Sequence, residues 1–121
     1  MIKLTFVLRR LPTLTREEFQ DYWLNRHAPL VASVREVLGI QRYMQLHSLP
    51  DEVSAGIQAS RGAPAPYDGV AQLWFDSFEA LAAQASDPKA REAGRLLLED
   101  ERKFIDLANS PLWWGEEKVI F

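Results

Sequence analysis

The 121-residue sequence predicts an α+β domain, in which one antiparallel sheet of four strands is covered by helices on one face. Three observations carry this. Residues 2–9, "IKLTFVLR", alternate with a period of two, setting Ile2, Leu4, Phe6 and Leu8 on one side and Thr5 and Val7 on the other. Further on, Phe19, Trp23, His27, Leu30, Val34 and Val37 recur at steps of three or four, the spacing of one helix face. Along the whole chain the elements then read strand, helix, strand, strand, helices, strand, which is the split βαβ or ferredoxin-like order.

Each element has its own justification. The first strand is partly apolar on both faces, which predicts cover on both sides, from helices on one and from a second copy of the chain on the other. The first helix begins at Thr15, since Glu18 three residues later completes a capping box. Pro29 lacks an N–H and its ring collides with the carbonyl four residues back, so that helix is predicted to kink or restart just after His27. Gly39 is a helix stop. The second strand follows, alternating Ile40, Arg42, Met44 and Leu46 against an unusually polar set, Gln41, Tyr43, Gln45 and His47.

Residues 50–68 are rich in Gly, Pro, Ala and Ser without a sustained period, and read as a long connecting loop beside a binding site. "GVAQLWFD" is the third strand, and Ser77 caps a short helix after it. Asp87 and Pro88 open a third helix, expected to run to about Ala108. After Trp113 and Trp114 the closing "EEKVIF" reads as a terminal strand.

Composition narrows the function classes. A formal charge of −3 and no basic run interleaved with aromatics argue against nucleic acid. The apolar start is far too short to span a bilayer and carries no basic region ahead of it, so a single cytoplasmic domain spanning 1–121 is expected. Without cysteine there is no disulfide, thiolate nucleophile or thiolate metal site. The two histidines, His27 and His47, form no metal-ligating pair with each other or with a suitably spaced acid, and "SRGAPAP" lacks the lysine and following helix of a phosphate cradle. Neither a metal nor a cofactor is expected.

The chemistry then falls to a few side chains. His27 is either a buried residue capping a broken helix or a proton carrier turned into a pocket by Pro29. Asp100 and Glu101 either join the solvated face of the third helix or supply a carboxylate that orients the imidazole. On the stripe Leu97, Glu101, Ile105, Ala108, Glu101 is the costlier to bury unpaired. Tyr43 is a pocket wall or a hydrogen-bond donor, while His47, beside the expected loop, reads as a surface residue. Trp23, Trp74, Phe104 and Gln41 are the candidate ligand-binding residues, the rings offering flat apolar walls.

Three segments occur in order along nearly the whole chain: "TREEFQDYWLNRHAPLV", "YDGVAQLWFDSFEAL" and "EDERKFID". In them the chain resembles the EthD family of the dimeric α+β barrel superfamily. The resemblance implies a homodimer with sheets facing each other, and it strengthens the proton-carrying reading of His27. It also implies a small apolar, aromatic or polyketide-like ligand. The reaction types found among such proteins include dehydration, decarboxylation, cyclisation and cofactor-free oxygenation, so the fold does not name the reaction. A cofactor-independent lyase or isomerase using His27, Asp100 or Glu101, and Tyr43 is the leading expectation. An oxidoreductase of the ether- or aromatic-degradation type, or a non-catalytic binding module, are the alternatives.

Overall fold

Thr15 opens the first helix as its sequence demands. Its hydroxyl accepts from the Glu18 N–H at 3.1 Å, while Glu18 Oε1 accepts from the Thr15 N–H at 3.0 Å, satisfying two otherwise orphaned donors. The computed structural model describes residues 1–121. Its elements are β1 (Ile2–Leu8), α1 (Arg16–Tyr22), a π-helical turn (Trp23–His27), α2 (Ala28–Ser33), α3 (Arg35–Leu38) and β2 (Ile40–His47). After these come α4 (Asp51–Arg61), β3 (Gly69–Phe75), α5 (Phe78–Gln84), α6 (Pro88–Glu101), a 3₁₀ turn (Leu107–Asn109) and β4 (Leu112–Gly115). Gly39 ends α3 at φ 69°, a left-handed conformation that other residues adopt only with strain.

The sheet has the order β2-β3-β1-β4, with every neighbouring pair antiparallel, which is the ferredoxin-like arrangement. Register assigns the faces. Leu4, Phe6 and Leu8 of β1 stand opposite Leu73, Ala71 and Gly69 of β3, and this side packs on Phe19, Trp23, Phe104 and Ile105. A bulge between Ile40 and Arg42 adds a residue to β2, so that Ile40 joins Tyr43, Gln45 and His47 on the helix side instead of Arg42, Met44 and Leu46. The polar set of β2 therefore faces inward. On the helix-free side Leu46 and Trp113 remain 62% and 51% exposed. No helix is long and apolar enough to cross a membrane.

Three expectations need correction. The segment expected as a loop contains α4, an eleven-residue helix with Asp51 and Glu52 in its first turn and Gly62 ending it at φ 59°. It buries no residue, so no apolar stripe could have announced it. The third helix stops at Glu101 rather than near Ala108, because the backbone beyond it pairs with the chain after β1. Phe104 O accepts from the Leu11 N–H at 3.0 Å, Asp106 N–H donates to Arg9 O at 2.8 Å, and Ile105 bridges Arg10. Finally, β4 is formed by "LWWG", not by "EEKVIF". Antiparallel pairing sets Gly115 opposite Lys3, and β1 starts at Ile2, so the chain runs out of partner strand there.

Asp68 fastens the entry to β3. Its carboxylate accepts from the Arg10 backbone N–H at 2.8 Å, from the Arg10 guanidinium, and from Arg16 Nε at 3.2 Å. A buried acid so paired ties the start of α1 to the sheet.

Candidate active site

The π turn builds the centre of the site. Ala28 N–H reaches back five residues to Trp23 O, and Pro29, with no N–H of its own, sits in the first positions of α2, where none is needed. The wider turn places Tyr22 and His27 on one side of the helical segment, facing Asp100 on α6. Tyr22 donates to Asp100 Oδ1 at 2.6 Å, and His27 Nδ1 lies 2.8 Å from Asp100 Oδ2. Lys103 Nζ stands 3.4 Å from Oδ1. Phe104 closes the floor, its ring 5.0 Å from both the Tyr22 and the His27 rings.

Protonation follows from these partners. Burial opposes the charge on Asp100, yet the bonds from Tyr22 and His27 outweigh it and hold the carboxyl below its ordinary range. Burial together with the Asp100 carboxylate pushes the Tyr22 phenol up to about 12, so it keeps its proton and donates. Because an ionised carboxylate only accepts, His27 Nδ1 carries the hydrogen. Burial pushes the imidazole below its usual value despite Asp100, leaving it neutral at pH 7 with a free lone pair on Nε2. Every buried side-chain nitrogen and oxygen in the molecule has a partner, and Nε2 has none, so it touches open space.

That space is a cavity of about 280 Å³ between sheet and helices, lined by His27 and Glu101 among mostly apolar walls such as Phe6, Leu73, Phe75 and Trp114. Burial, aided by the Asp100 charge, pushes the Glu101 carboxyl up to about 7. It makes no hydrogen bond with the protein, and near neutrality it both holds and releases a proton. Tyr43 lines the cavity from β2. Burial pushes its phenol up, the Gln45 and Trp23 side chains pull it back, and the Glu101 charge adds to the rise.

The structure thus brings His27, Asp100, Glu101, Tyr43 and Trp23 together. It separates the other candidates from them. Trp74 is on the opposite face of the sheet, between Lys3 and Arg42 and bonded to Glu117. Gln41 sits in the β2 bulge, beside Arg35 in a neighbouring cleft that shares Val31, Ile40 and Tyr43 with the cavity wall but not His27 or Glu101. Phe104 supports the site from beneath and is not a cavity wall. His47, read as a surface residue, instead stacks on Trp23 with centroids 4.5 Å apart. Tyr22 escaped the sequence reading because it lies off the i, i+4 stripe; Pro29 was the available signal that the stripe changes period there.

Fold and cavity together define a ferredoxin-like α+β protein with a ligand-sized space between its sheet and its helices, and a carboxylate-held histidine in the wall. More narrowly, the chain belongs to the EthD domain family, whose model matches residues 11–108. It is 28% identical over 109 residues to the dehydratase ustZ of Ustilaginoidea virens, covering 88% of this chain and 76% of that protein. It is also 28% identical over 120 residues to the conidial pigment biosynthesis dehydratase EthD of Metarhizium robertsii, covering 95% of this chain and 81% of that one. An ethyl tert-butyl ether d (EthD) family protein from Bacillus halodurans has the same fold, with a TM-score of 0.62 at 20% identity over 98% of this chain and 99% of its own. Dimeric proteins of ferredoxin-like fold are among the other structural matches.

Proposed function

We propose that the protein is a lyase-type enzyme that uses its own side chains as acid and base on a hydrophobic, aromatic or polyketide-like molecule. The observation that carries this is the His27 imidazole, fixed through Nδ1 on Asp100 with Nε2 open to an apolar cavity. In a dehydration, Nε2 would take the proton from a carbon next to a carbonyl. The C–O bond to a neighbouring hydroxyl breaks, and that group leaves as water with the proton of Glu101. Asp100 stabilises the imidazolium, and proton return through solvent restores both groups. The dehydratase names of two relatives, matched over 76% and 81% of their own length, support this reaction class. We also propose a homodimer that covers the helix-free face, since exposed Leu46 and Trp113 there are costly in water at about 25 cal/mol per Å².

Incubating the protein with a panel of aromatic β-hydroxy ketones, with mass spectrometry to detect loss of water, tests the reaction. Turnover by wild type and its near abolition in His27→Asn are expected. Tight binding across the panel without any mass change would make the protein a binding module instead.

A further inference from the structure

Gln45 is one of the polar residues of β2, and its hydrogen bonds fix a direction. Its Nε2 lies 2.9 Å from the Trp23 main-chain oxygen and 2.9 Å from Tyr43 Oη, while its Oε1 lies 2.7 Å from His47 Nε2. A backbone carbonyl only accepts, so the NH₂ end of the amide must face Trp23. Both amide hydrogens are then used, one on Trp23 O and one on the Tyr43 oxygen. Oε1 is left to accept from His47, whose Nε2 must carry a hydrogen whether the ring is neutral or charged.

The consequence falls on Tyr43. Its oxygen already accepts from Gln45, and the Trp23 indole beside it is also only a donor, so the Tyr43 hydrogen finds no acceptor in the protein. Trp23 O is saturated, with Ala28 N–H on one lone pair and Gln45 on the other. We propose that His47, Gln45 and Tyr43 form a one-way chain of donors that turns the Tyr43 hydroxyl hydrogen toward the cavity and selects ligands carrying an acceptor oxygen there. The class is an aromatic or polyketide-like ketone, and an apolar hydrocarbon of the same shape is disfavoured.

The chain is mechanically held. His47 stacks on Trp23 with an interplanar angle of 23°, and Trp23 lies so close to Gly69 that a Cβ there would meet its ring at 2.4 Å. Gln45 and His47 are positioning residues, since neither lines the cavity that Tyr43 shares with His27; with Tyr43 they border a separate, more open groove beside Leu24 and Ala28. A carbonyl bonded to Tyr43 draws electrons from the adjacent carbon, acidifying the C–H that His27 would attack. The assignment rests on reading the cavity as the ligand site, but it concerns binding and needs no turnover.

The test uses a matched pair of probes, 1-tetralone and tetralin, titrated by calorimetry into wild type, Tyr43→Phe and Gln45→Glu. A neutral hydrogen bond is worth up to about tenfold in affinity, so wild type should prefer the ketone by about that factor. Glutamate keeps the shape of Gln45 but only accepts, so the Tyr43 hydrogen should turn to it and away from the cavity. The preference should fall to about one in both variants, and the donor 1-naphthol should gain in Gln45→Glu. Ring ¹⁵N shifts of wild type should show His47 protonated on Nε2, a readout that needs no variant to fold. An unprotonated Nε2, or a ketone preference that survives in Gln45→Glu, would overturn the chain. Binding of both probes in the cavity without preference sinks the chain alone. If neither probe perturbs the His27 ring signals, the cavity reading falls and the chain with it.

Discussion

Tyr22 and His27, five residues apart, hold opposite oxygens of a single carboxylate, Asp100 Oδ1 at 2.6 Å and Oδ2 at 2.8 Å. In a regular α-helix residues five apart would point about 140° away from each other. The π turn over Trp23–His27 removes most of that angle, because its ladder closes over five residues instead of four. The site therefore depends on a local departure from helical regularity, a common place for function.

Replacing His27 by Asn keeps a polar side chain that can bond Asp100 but removes the group able to exchange a proton near pH 7. On the reading proposed above, kcat should fall about a hundredfold or more, while ligand affinity changes little. Steady-state kinetics beside calorimetric titration will separate the two.

Asp100→Asn changes the tautomer rather than the packing. The amide can donate to Nδ1, which moves the imidazole hydrogen onto Nε2 and removes the lone pair from the cavity. Activity should drop about a hundredfold. Stability has a definite sign as well: the Asp100 carboxyl is held below its unfolded value, so its contribution is present above about pH 4 and lost as pH falls through the folded value. Thermal melts from pH 7 to pH 3 should show a steeper acid loss in wild type than in Asp100→Asn.

Glu101 has the opposite sign. Its carboxyl is raised to about 7 by burial, so the folded state holds a proton that the unfolded chain releases above about pH 4.5. Wild type should lose up to about 3 kcal/mol between pH 4.5 and pH 8, and Glu101→Gln should not. The rate profile of wild type should be bell-shaped, rising as His27 loses its proton below pH 6.5 and falling as Glu101 ionises near pH 7. The alkaline limb should vanish in Glu101→Gln, with the maximum about a hundredfold lower.

Gly69→Ala tests the packing behind the cavity. An added Cβ would come within 2.4 Å of the Trp23 ring and 2.8 Å of Leu46 O, and neither a buried indole nor a paired strand can yield freely. Destabilisation of about 1–3 kcal/mol is expected from chemical denaturation, with altered Trp fluorescence as the ring shifts.

Sedimentation at micromolar concentration should give a species of twice the 13.8 kDa chain mass. A double substitution, Leu46→Lys and Trp113→Lys, should shift it to monomer while leaving the His27 site intact, since both side chains lie on the helix-free face.

Much of the sheet side of the fold was legible because it depends on local pattern. The alternation of Ile2, Leu4, Phe6 and Leu8, the Thr15–Glu18 cap, the Gly39 stop and the Ser77 and Asp87 helix starts are short-range signals, and the chain obeys them. At Pro29 the helix does not break: the backbone stays right-handed helical through His27 and Ala28, and the π turn before the proline absorbs it. His27 and Asp100 were also legible as candidates, both by residue type, and His27 further by Pro29 nearby and by the family resemblance. What the sequence could not order was the contact between them.

Only tertiary structure decided the rest, because each remaining feature depends on a partner distant in the chain. Backbone pairing with Arg9–Leu11 ended α6 at Glu101, and the end of β1 ended β4 at Gly115. A bulge after Ile40 turned Tyr43, Gln45 and His47 inward, where an exposed polar row would otherwise have been read. By itself the sequence determined which residues could carry a proton and roughly where the chain turns. Long-range packing decided which carboxylate met His27 and which phenol joined the cavity wall, because burial and hydrogen-bond saturation are properties of neighbours, not of position in the chain.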